Sequence, residues 1–254
     1  MDEDIIKEGE FNYLEIGEGK PIVILHGLMG GLSNFSEVYK YFPKIGYKII
    51  MPQLPIYEMP LLETNIKTFS EYLNDFLIFK KLKKVVLVGN SLGGHIALFY
   101  TKCYPELVDG LVITGSSGLY ENSMGGSYPK RSDYQYIKEK SEEVFFDPNV
   151  ATKELVDEVF ESVNDRNKLI KTLAIAKSAI RHNMSKDLPL MNTPTGIIWG
   201  MNDTVTPQSV GKEFHKLLPN SDLFWINNCG HAPMMEHPDK FNQILKNWLA
   251  KRDL

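Results

Sequence analysis

The stretch that decides the fold is Val85-Val86-Leu87-Val88-Gly89-Asn90-Ser91-Leu92-Gly93-Gly94, where an apolar run leads directly into Gly-x-Ser-x-Gly. Four consecutive apolar residues bounded by a glycine are typical of a strand buried on both faces of a parallel sheet. The apolar residues after the motif, as far as Pro105, predict a helix over 92–104. A serine on the tight turn between such a strand and such a helix projects its hydroxyl above the sheet. The sequence therefore predicts Ser91 as a nucleophile.

Other short apolar runs, flanked by Gly, Pro or Asn and separated by amphipathic stretches, predict a mostly parallel sheet with helices between its strands. The stretch 65–80 has apolar residues at three- and four-residue steps after an N-cap candidate, Thr64 or Asn65. Pro207 and Pro238 stand where a first helical turn accepts proline. The fold class is therefore α/β, and its predicted strands are 22–25, 47–51, 85–88, 111–114, 196–199 and 223–226.

The middle of the chain breaks this rhythm. Over 118–188 no strand-like run occurs, whereas three helical patterns do, around 136–146, 155–163 and 169–180. No polar linker, repeat or low-complexity tract marks a separate domain, and α/β folds reach about 250 residues as one unit. The sequence predicts one core, residues 1–117 and 189–254, with a helical cap insertion at 118–188.

The composition excludes several classes of protein. With 43% hydrophobic and 24% charged residues the chain is ordinary globular material, and its net charge of −4 with scattered Lys and Arg gives no footprint for nucleic acid or an anionic membrane. The two cysteines, Cys103 and Cys229, are predicted to be buried thiols because they form neither a disulfide framework nor a zinc motif. No apolar run approaches the roughly 18 residues that a bilayer requires. The acidic start, residues 1–4, lacks a signal peptide's features and favours a cytoplasmic location.

A serine nucleophile needs a base to take its proton and an acid to orient that base. Of six histidines, His231 follows the last predicted strand, at the edge where doubly wound sheets gather catalytic groups. Asp203 follows another strand end, and the order Ser, Asp, His is that of hydrolases whose nucleophile elbow comes first. We expect His237 and most other histidines to be capping or surface residues, and His26 to brace the loop after its strand.

The tetrahedral intermediate needs donors for its negatively charged oxygen, and backbone amides commonly supply them. The amide of Leu92 opens the helix after Ser91, so the helix dipole adds to the same field. The second predicted donor is the amide of Leu28, in a glycine-rich loop that follows a strand. This chemistry requires no metal and no cofactor.

Four separated motifs, HGLMGG at 26–31, GNSLGG at 89–94, WGMND at 199–203 and CGHAPMMEHP at 229–238, resemble the α/β-hydrolase superfamily in its own order. The resemblance extends from Tyr13 to Leu249. It implies an eight-stranded, mostly parallel sheet flanked by helices, with a helical cap over the Ser91 pocket. The superfamily's dehalogenases and many epoxide hydrolases use aspartate at the elbow, which argues against those activities here.

Within the superfamily, residues 27–34, the elbow and the cap around 146–148 and 154–156 resemble meta-cleavage-product hydrolases and related carboxylesterases. The carbon–carbon bond hydrolases of this branch carry a cap arginine for a dienoate carboxylate. The matching position falls near Val159, which is apolar, and their tryptophan after the catalytic histidine is Ala232 here. These departures argue against a dienoate as the substrate.

Other residues leave the substrate open. Asn34 and Asn90 match polar pocket positions of the carbon–carbon bond hydrolases, whereas residues 53–55 replace the family's Asp-x-Pro-Gly and indicate a reshaped loop. The arginines of the cap are expected to be solvated. The candidate substrate contacts are Asn34, Asn90, Tyr120, Met124, Phe145 and Phe146, although the apolar ones equally suit the cap's own core.

Together these residues predict a serine hydrolase that cleaves small carboxylic esters through an acyl-enzyme. One alternative is a carbon–carbon bond hydrolase of the meta-cleavage-product type, which uses the same three residues. Another is a hydrolase-fold protein that binds a ligand with little turnover, because a fold does not by itself set a function. The predicted partner is a small molecule, with no nucleic acid and no membrane span, and the sequence makes no prediction of oligomeric state.

Overall fold

The computed structural model of the chain describes residues 5–28, 31–120 and 130–254. Within these ranges, eight strands form one sheet: β1 (Ile6–Glu8), β2 (Phe11–Ile16), β3 (Lys20–Leu25), β4 (Tyr47–Pro52), β5 (Val85–Asn90), β6 (Val108–Thr114), β7 (Thr195–Gly200) and β8 (Ser221–Ile226). Their spatial order is β1-β2-β4-β3-β5-β6-β7-β8. Strand β2 is antiparallel to β1 and β4, and all other neighbouring pairs are parallel. The sheet confirms the predicted α/β class, and each of the six predicted strands lies within an observed one.

Helices cover both faces of the sheet. The described ranges contain α1 (Ser36–Tyr41), α2 (Ile66–Phe79), α3 (Leu92–Cys103), α4 (Tyr134–Glu142), α5 (Lys153–Asn164), α6 (Arg166–Arg181), α7 (Gln208–Leu217), α8 (Pro233–Glu236) and α9 (Pro238–Lys251). One apolar cluster joins the sheet to α2, α3 and α7, and a second joins it to α1 and α9. Strands β5 and β7 are buried along their whole length between these layers. Burial on both faces explains their continuous apolar sequence.

The predicted helix over 65–80 is α2, and its N-cap is the second of the two candidates. The Asn65 side chain accepts a hydrogen bond from the Thr68 amide at 3.1 Å, which satisfies one free donor of the first turn. Pro238 is the first residue of α9, and Pro207 directly precedes α7. Asn65 and Pro238 therefore located the starts of α2 and α9 correctly, whereas Pro207 lies one residue before the first turn of α7.

The three helical patterns predicted in the middle of the chain are α4, α5 and α6, which follow β6 and precede β7. Helices α4 and α5 share a small apolar cluster of their own, formed by Ile137, Val159 and Val163. Residues 121–129 of the predicted cap lie outside the described ranges, and the bounds 118 and 188 remain a prediction. Helices α4 and α5 thus have packing of their own, whereas Ile175 and Ala179 of α6 belong to the main apolar cluster beside α2 and α3.

The two cysteines differ in environment. Cys229 is buried as predicted, but Cys103 is exposed, so the expectation for it was wrong. Cys103 is the last residue of α3, where the helix leaves the protein interior, and apolar neighbours along a helix do not reveal that exit. None of the helices in the described parts of the chain has the length and apolar character needed to cross a membrane.

Candidate active site

The turn between β5 and α3 places Ser91 in a backbone conformation that L-residues rarely adopt, with φ of 54° and ψ of −118°. Its amide donates to the Thr114 carbonyl at 3.1 Å, and its carbonyl accepts from the His95 amide at 3.2 Å. A Cβ at Gly93 would overlap the carbonyl oxygen of Leu25 on the neighbouring strand, so the helix approaches the sheet only with glycine there. Strain that the surroundings hold in place is a recurring property of functional turns.

The predicted base and acid form a hydrogen-bonded pair. His231 follows β8, Asp203 follows β7, and Nδ1 of the imidazole donates to Oδ2 of the carboxylate at 2.9 Å. The same Oδ2 accepts from the Thr206 hydroxyl at 2.8 Å. Oδ1 accepts from the amides of Val205 and Thr206 at 2.9 and 2.8 Å. Both carboxylate oxygens are thus fixed by donors, and the acid fixes the imidazole's orientation.

Contacts through its neighbours bring the Ser91 turn to this pair. The Asn90 side-chain amide donates to the backbone carbonyls of Thr114 and His231, at 3.0 and 3.1 Å. A Cβ at Gly115, the residue after Thr114, would lie 2.8 Å from His231 Nδ1. The carboxyl ends of β5, β6, β7 and β8 therefore gather Ser91, Asp203 and His231 at one edge of the sheet, where parallel α/β sheets place their sites. Asn90 connects these loops, and its substrate-binding role remains a prediction.

The loop after β3 lies against the elbow from the other side. A Cβ at Gly27 would lie 3.4 Å from the Cβ of Ser91, so Leu28 follows a residue in close contact with the nucleophile. Leu92 begins the twelve-residue helix α3. Both predicted oxyanion donors are thus in segments that adjoin Ser91, and their role remains a prediction.

His26 holds this loop in place, as predicted from the sequence. Its Nδ1 donates to the Gly27 carbonyl at 2.8 Å, and its Nε2 accepts from the Leu54 amide at 3.0 Å. These two partners require the neutral ring with its proton on Nδ1. Complete burial lowers the pKa of His26 and favours the same neutral form.

His95 is fully buried, which corrects its assignment to the surface or a cap. Its Nδ1 lies 3.4 Å from the hydroxyl of Ser117, whose amide donates to the Ser91 carbonyl at 3.2 Å. Its Nε2 lies 3.2 Å from Nδ1 of His182, the residue after α6. Burial, with a smaller contribution from His182, lowers the pKa of His95 to about 3. Sequence reasoning missed it because the whole of α3 around it is buried, and no amphipathic pattern marks one side chain.

The candidate substrate residues have unequal surroundings. Asn34 is buried, and Phe145 packs against the apolar cluster on the α1 and α9 side of the sheet. Tyr120 and Phe146 are 52% and 48% exposed, which does not suit the walls of an enclosed apolar pocket. Their substrate-binding role remains a prediction. Met124 lies outside the described residues.

A cavity of about 510 Å³ opens beside the Leu28 loop, between the segment after β4 and helix α5. Leu54, Tyr57 and Val159 contribute apolar walls, and Glu58 and Glu158 lie along it. Its lining, all within the described ranges, contains no lysine or arginine. The three cap arginines are exposed, as expected: Arg131, Arg166 and Arg181. In the part of the chain that the structure describes, His, Cys, Asp and Glu side chains form no cluster suited to a metal ion.

Comparison with known proteins agrees with this geometry. Residues 20–149 match the model of a family described as the alpha/beta hydrolase fold. A 2-hydroxy-6-oxononadienedioate/2-hydroxy-6-oxononatrienedioate hydrolase of Pseudomonas sp is 27% identical over an alignment covering 97% of this chain and 95% of that protein.

Solved structures extend the comparison. An alpha/beta hydrolase enzyme from the metagenome of sediments of the lagoon of Mar Chica, Morocco, is 56% identical, with a TM-score of 0.83 and coverage of 98% of this chain and 99% of that one. A meta-cleavage product hydrolase from Pseudomonas fluorescens IP01 is 20% identical with a TM-score of 0.82, covering 95% and 94%, a likeness of fold alone. The chain belongs to the α/β-hydrolase family, and it is a hydrolase with a mostly parallel eight-stranded sheet.

Proposed function

We propose that the protein is a serine hydrolase that cleaves small carboxylic esters through an acyl-enzyme. The observation that carries the proposal is the pairing of His231 with Asp203 at the sheet edge that also holds Ser91 in its strained turn. A serine hydroxyl gains nucleophilicity only when a fixed base removes its proton, and Asp203 fixes that base. All three residues are buried, which limits competition from water for these hydrogen bonds.

The proposed reaction has two steps of the same kind. Ser91 Oγ attacks the ester carbonyl carbon while its proton passes to His231 Nε2, and the carbonyl oxygen takes the negative charge between the amides of Leu28 and Leu92. Collapse of this intermediate breaks the carbon–oxygen bond, and the leaving alcohol takes the proton from His231. Water then attacks the acyl group with His231 as base, which releases the carboxylic acid and restores Ser91. Asp203 stabilises the imidazolium in both steps.

An ester is favoured over a dienoate by the charge of the site. By resemblance, the cap arginine that recognises a dienoate carboxylate falls near Val159, whose side chain belongs to the α4 and α5 cluster and lines the cavity beside Leu28. The described residues that line this cavity include no lysine or arginine, so a carboxylate beside Val159 would find no cation among them, and burying an unpaired charge is costly. A neutral ester avoids that cost.

The second candidate is hydrolysis of a carbon–carbon bond in a dienoate of the meta-cleavage type. It is supported by relatives named 2-hydroxy-6-oxononadienedioate/2-hydroxy-6-oxononatrienedioate hydrolases, which cover nearly the whole chain. The same Ser91, His231 and Asp203 would serve, and the substrate would additionally need to be ketonised before cleavage. The two candidates therefore differ in substrate and not in the three central residues.

Initial rates on p-nitrophenyl esters from acetyl to dodecanoyl, with a meta-cleavage dienoate in parallel, separate these candidates. Ester turnover lost in Ser91→Ala and retained in Ser185→Ala, an exposed serine, would support the proposal. Dienoate cleavage that exceeds ester turnover would support the second candidate. Ligand binding that persists in Ser91→Ala, with no turnover by the wild type, would contradict both and indicate a binding protein.

A further inference from the structure

The segment that follows α4, residues 143–147, is bonded directly to the two loops that carry the acid and the base. The Thr204 hydroxyl, next to Asp203, donates to the Glu143 carbonyl at 2.9 Å. The amide of His231 itself donates to the Val144 carbonyl at 2.9 Å. This segment of the predicted cap is therefore in backbone contact with the proposed catalytic base.

Glu236 adds a third and charged connection between the same two segments. Its Oε1 accepts from the Gly230 amide at 2.6 Å, directly before the base. Its Oε2 accepts from the amides of Phe146 and Asp147, at 2.8 and 3.3 Å. One carboxylate thus joins the His231 loop to a segment 90 residues away in sequence.

The backbones of the two segments are in close contact at Gly230. A Cβ at Gly230 would lie 2.5 Å from the Val144 carbonyl oxygen and 2.9 Å from the Cα of Phe145. Burial raises the pKa of the adjacent Cys229 thiol, with the Glu236 charge adding to the effect, so this neighbour stays neutral. The Cys229 thiol lies 3.8 Å from Oε1 of Glu236 as a weak additional donor. Only donors face the carboxylate from these residues.

We propose that Glu236 is a positioning residue, which holds segment 143–147 and the His231 loop as one unit and thereby fixes the imidazole relative to Ser91. Hydrogen bonds from amides to a carboxylate are stronger than those between neutral groups. A glutamine in the same place has one acceptor oxygen, and its NH₂ group would face an N–H donor on the other side. Glu236→Gln therefore keeps the shape of the side chain and loses one of the two connections.

The first test is hydrogen–deuterium exchange followed by mass spectrometry, on the wild type, on Glu236→Gln and on the matched control Glu18→Gln. Glu18 is exposed in the turn before β3, at the opposite end of the sheet from the site. In Glu236→Gln we expect exchange at residues 144–147 and at 229–231 to become at least about 10-fold faster, while the elbow peptide is unchanged. Faster exchange on only one side, or on neither, would overturn the coupling.

The second test measures alignment of the base, and this step rests on the proposed function of Ser91 and His231. A small fluorophosphonate needs no substrate pocket: Ser91 Oγ forms a bond to phosphorus, fluoride leaves, and the serine proton passes to His231. In Glu236→Gln we expect the labelling rate and kcat to fall about 10- to 100-fold with KM changed less than 3-fold, because small misplacements of a catalytic group have effects of that size. Rates normalised to folded protein and within 2-fold of the wild type would refute positioning and leave a structural role.

Failure of the proposed function and failure of the coupling between the two segments give different results. A wild type that is not labelled by the fluorophosphonate would contradict the proposed function, while the exchange measurement would still decide whether Glu236 couples the two segments. If Glu236→Gln does not fold, Glu236→Asp preserves the charge with a side chain one methylene shorter. It should also lose one of the two connections, so exchange should accelerate at both 144–147 and 229–231, and acceleration on one side only or on neither would overturn the proposal.

Discussion

The loop that carries Ser91 and the loop that carries His231 are held by different kinds of interaction. Ser91 is fixed by the backbone of its immediate neighbours: β5 before it, α3 after it, and glycines that let the helix touch the sheet. His231 is fixed by hydrogen bonds from its loop to segment 143–147 and to Glu236. The nucleophile thus depends on steric fit within one short stretch, and the base depends on polar contacts between distant parts of the chain.

The two loops should therefore respond differently to substitutions. The elbow does not tolerate larger side chains, because in a close-packed interior a single added carbon atom overlaps its neighbours. A hydrogen-bonded connection loosens when one acceptor is removed, and the chain around it still packs. We therefore expect substitutions at the elbow to act on stability and substitutions around the base to act on rate.

The largest expected effect tests whether Ser91 and His231 depend on each other in catalysis. Ser91→Ala and His231→Ala should each lower kcat/KM by about 10³-fold or more, and the double variant should be little worse than either. The reason is that a proton acceptor has no function without the hydroxyl it serves. Initial rates on the best ester of the panel measure this, with His215→Ala as a control that removes an exposed histidine of α7. A double variant whose loss equals the product of the single losses would show that the two residues act independently.

The next effect is on stability and comes from a substitution in the elbow alone. Gly93→Ala places a Cβ against the carbonyl of Leu25 and should lower the free energy of unfolding by about 3 kcal/mol or more, or prevent folding. Gly31→Ala is the matched control, because no atom of the described residues lies within 4 Å of the added carbon and φ is −119°. It should change the free energy of unfolding by less than about 0.5 kcal/mol. Urea denaturation measures both variants, and similar losses in the two would contradict the steric account.

The same contrast explains which parts of the molecule the sequence revealed. The strand, Ser91 and helix α3 form one contiguous stretch, so a local pattern predicted their arrangement correctly. The inner strands were predicted correctly from continuous apolar runs, which they have because both of their faces are buried. Strand β1 was missed because it is three residues long and exposed throughout, and β2 because its burial is mixed. The resemblance to the superfamily supplied the count of eight.

The polar connections around His231 left no comparable signal. Glu236 is one glutamate among many, and its partners Gly230 and Phe146 contribute backbone amides that carry no sequence identity. The same limit applies to His95, whose contacts with Ser117 and His182 depend on three segments meeting in space. Residues of this kind are recognised from coordinates, because nothing in the one-dimensional pattern distinguishes them from surface groups.

A third prediction concerns the buried polar residue His95 near the elbow and the dependence of the free energy of unfolding on pH. Burial lowers the pKa of His95 from the ordinary 6.5 to about 3. Between these pH values His95 is protonated in the unfolded chain and neutral in the folded chain. The free energy of unfolding is therefore highest above pH 6.5 and declines as the pH falls. Each pH unit contributes about 1.4 kcal/mol, which gives about 2 kcal/mol between pH 6.5 and 5.

His95→Gln removes this contribution and should flatten the dependence of unfolding free energy on pH over that interval. Urea midpoints at several pH values from 7.5 to 5 measure the slope for the wild type and the variant. His26, whose pKa burial also lowers, stays in place and keeps a remainder of the same sign. Parallel curves for the two proteins would show that His95 takes up its proton in the folded state over this range.

The smallest effect isolates the strain in the Ser91 backbone from its chemistry. Ser91→Ala and Ser91→Gly both remove the hydroxyl, so neither should hydrolyse an ester, and they differ in a single Cβ at φ of 54°. Glycine adopts this region without a steric penalty, whereas alanine retains the strain of the native serine. The gain is reduced because glycine has more conformational freedom to lose on folding. We expect Ser91→Gly to be more stable than Ser91→Ala by about 1 kcal/mol, measured by urea denaturation, and an alanine variant of equal or greater stability would mean that the turn stores no strain.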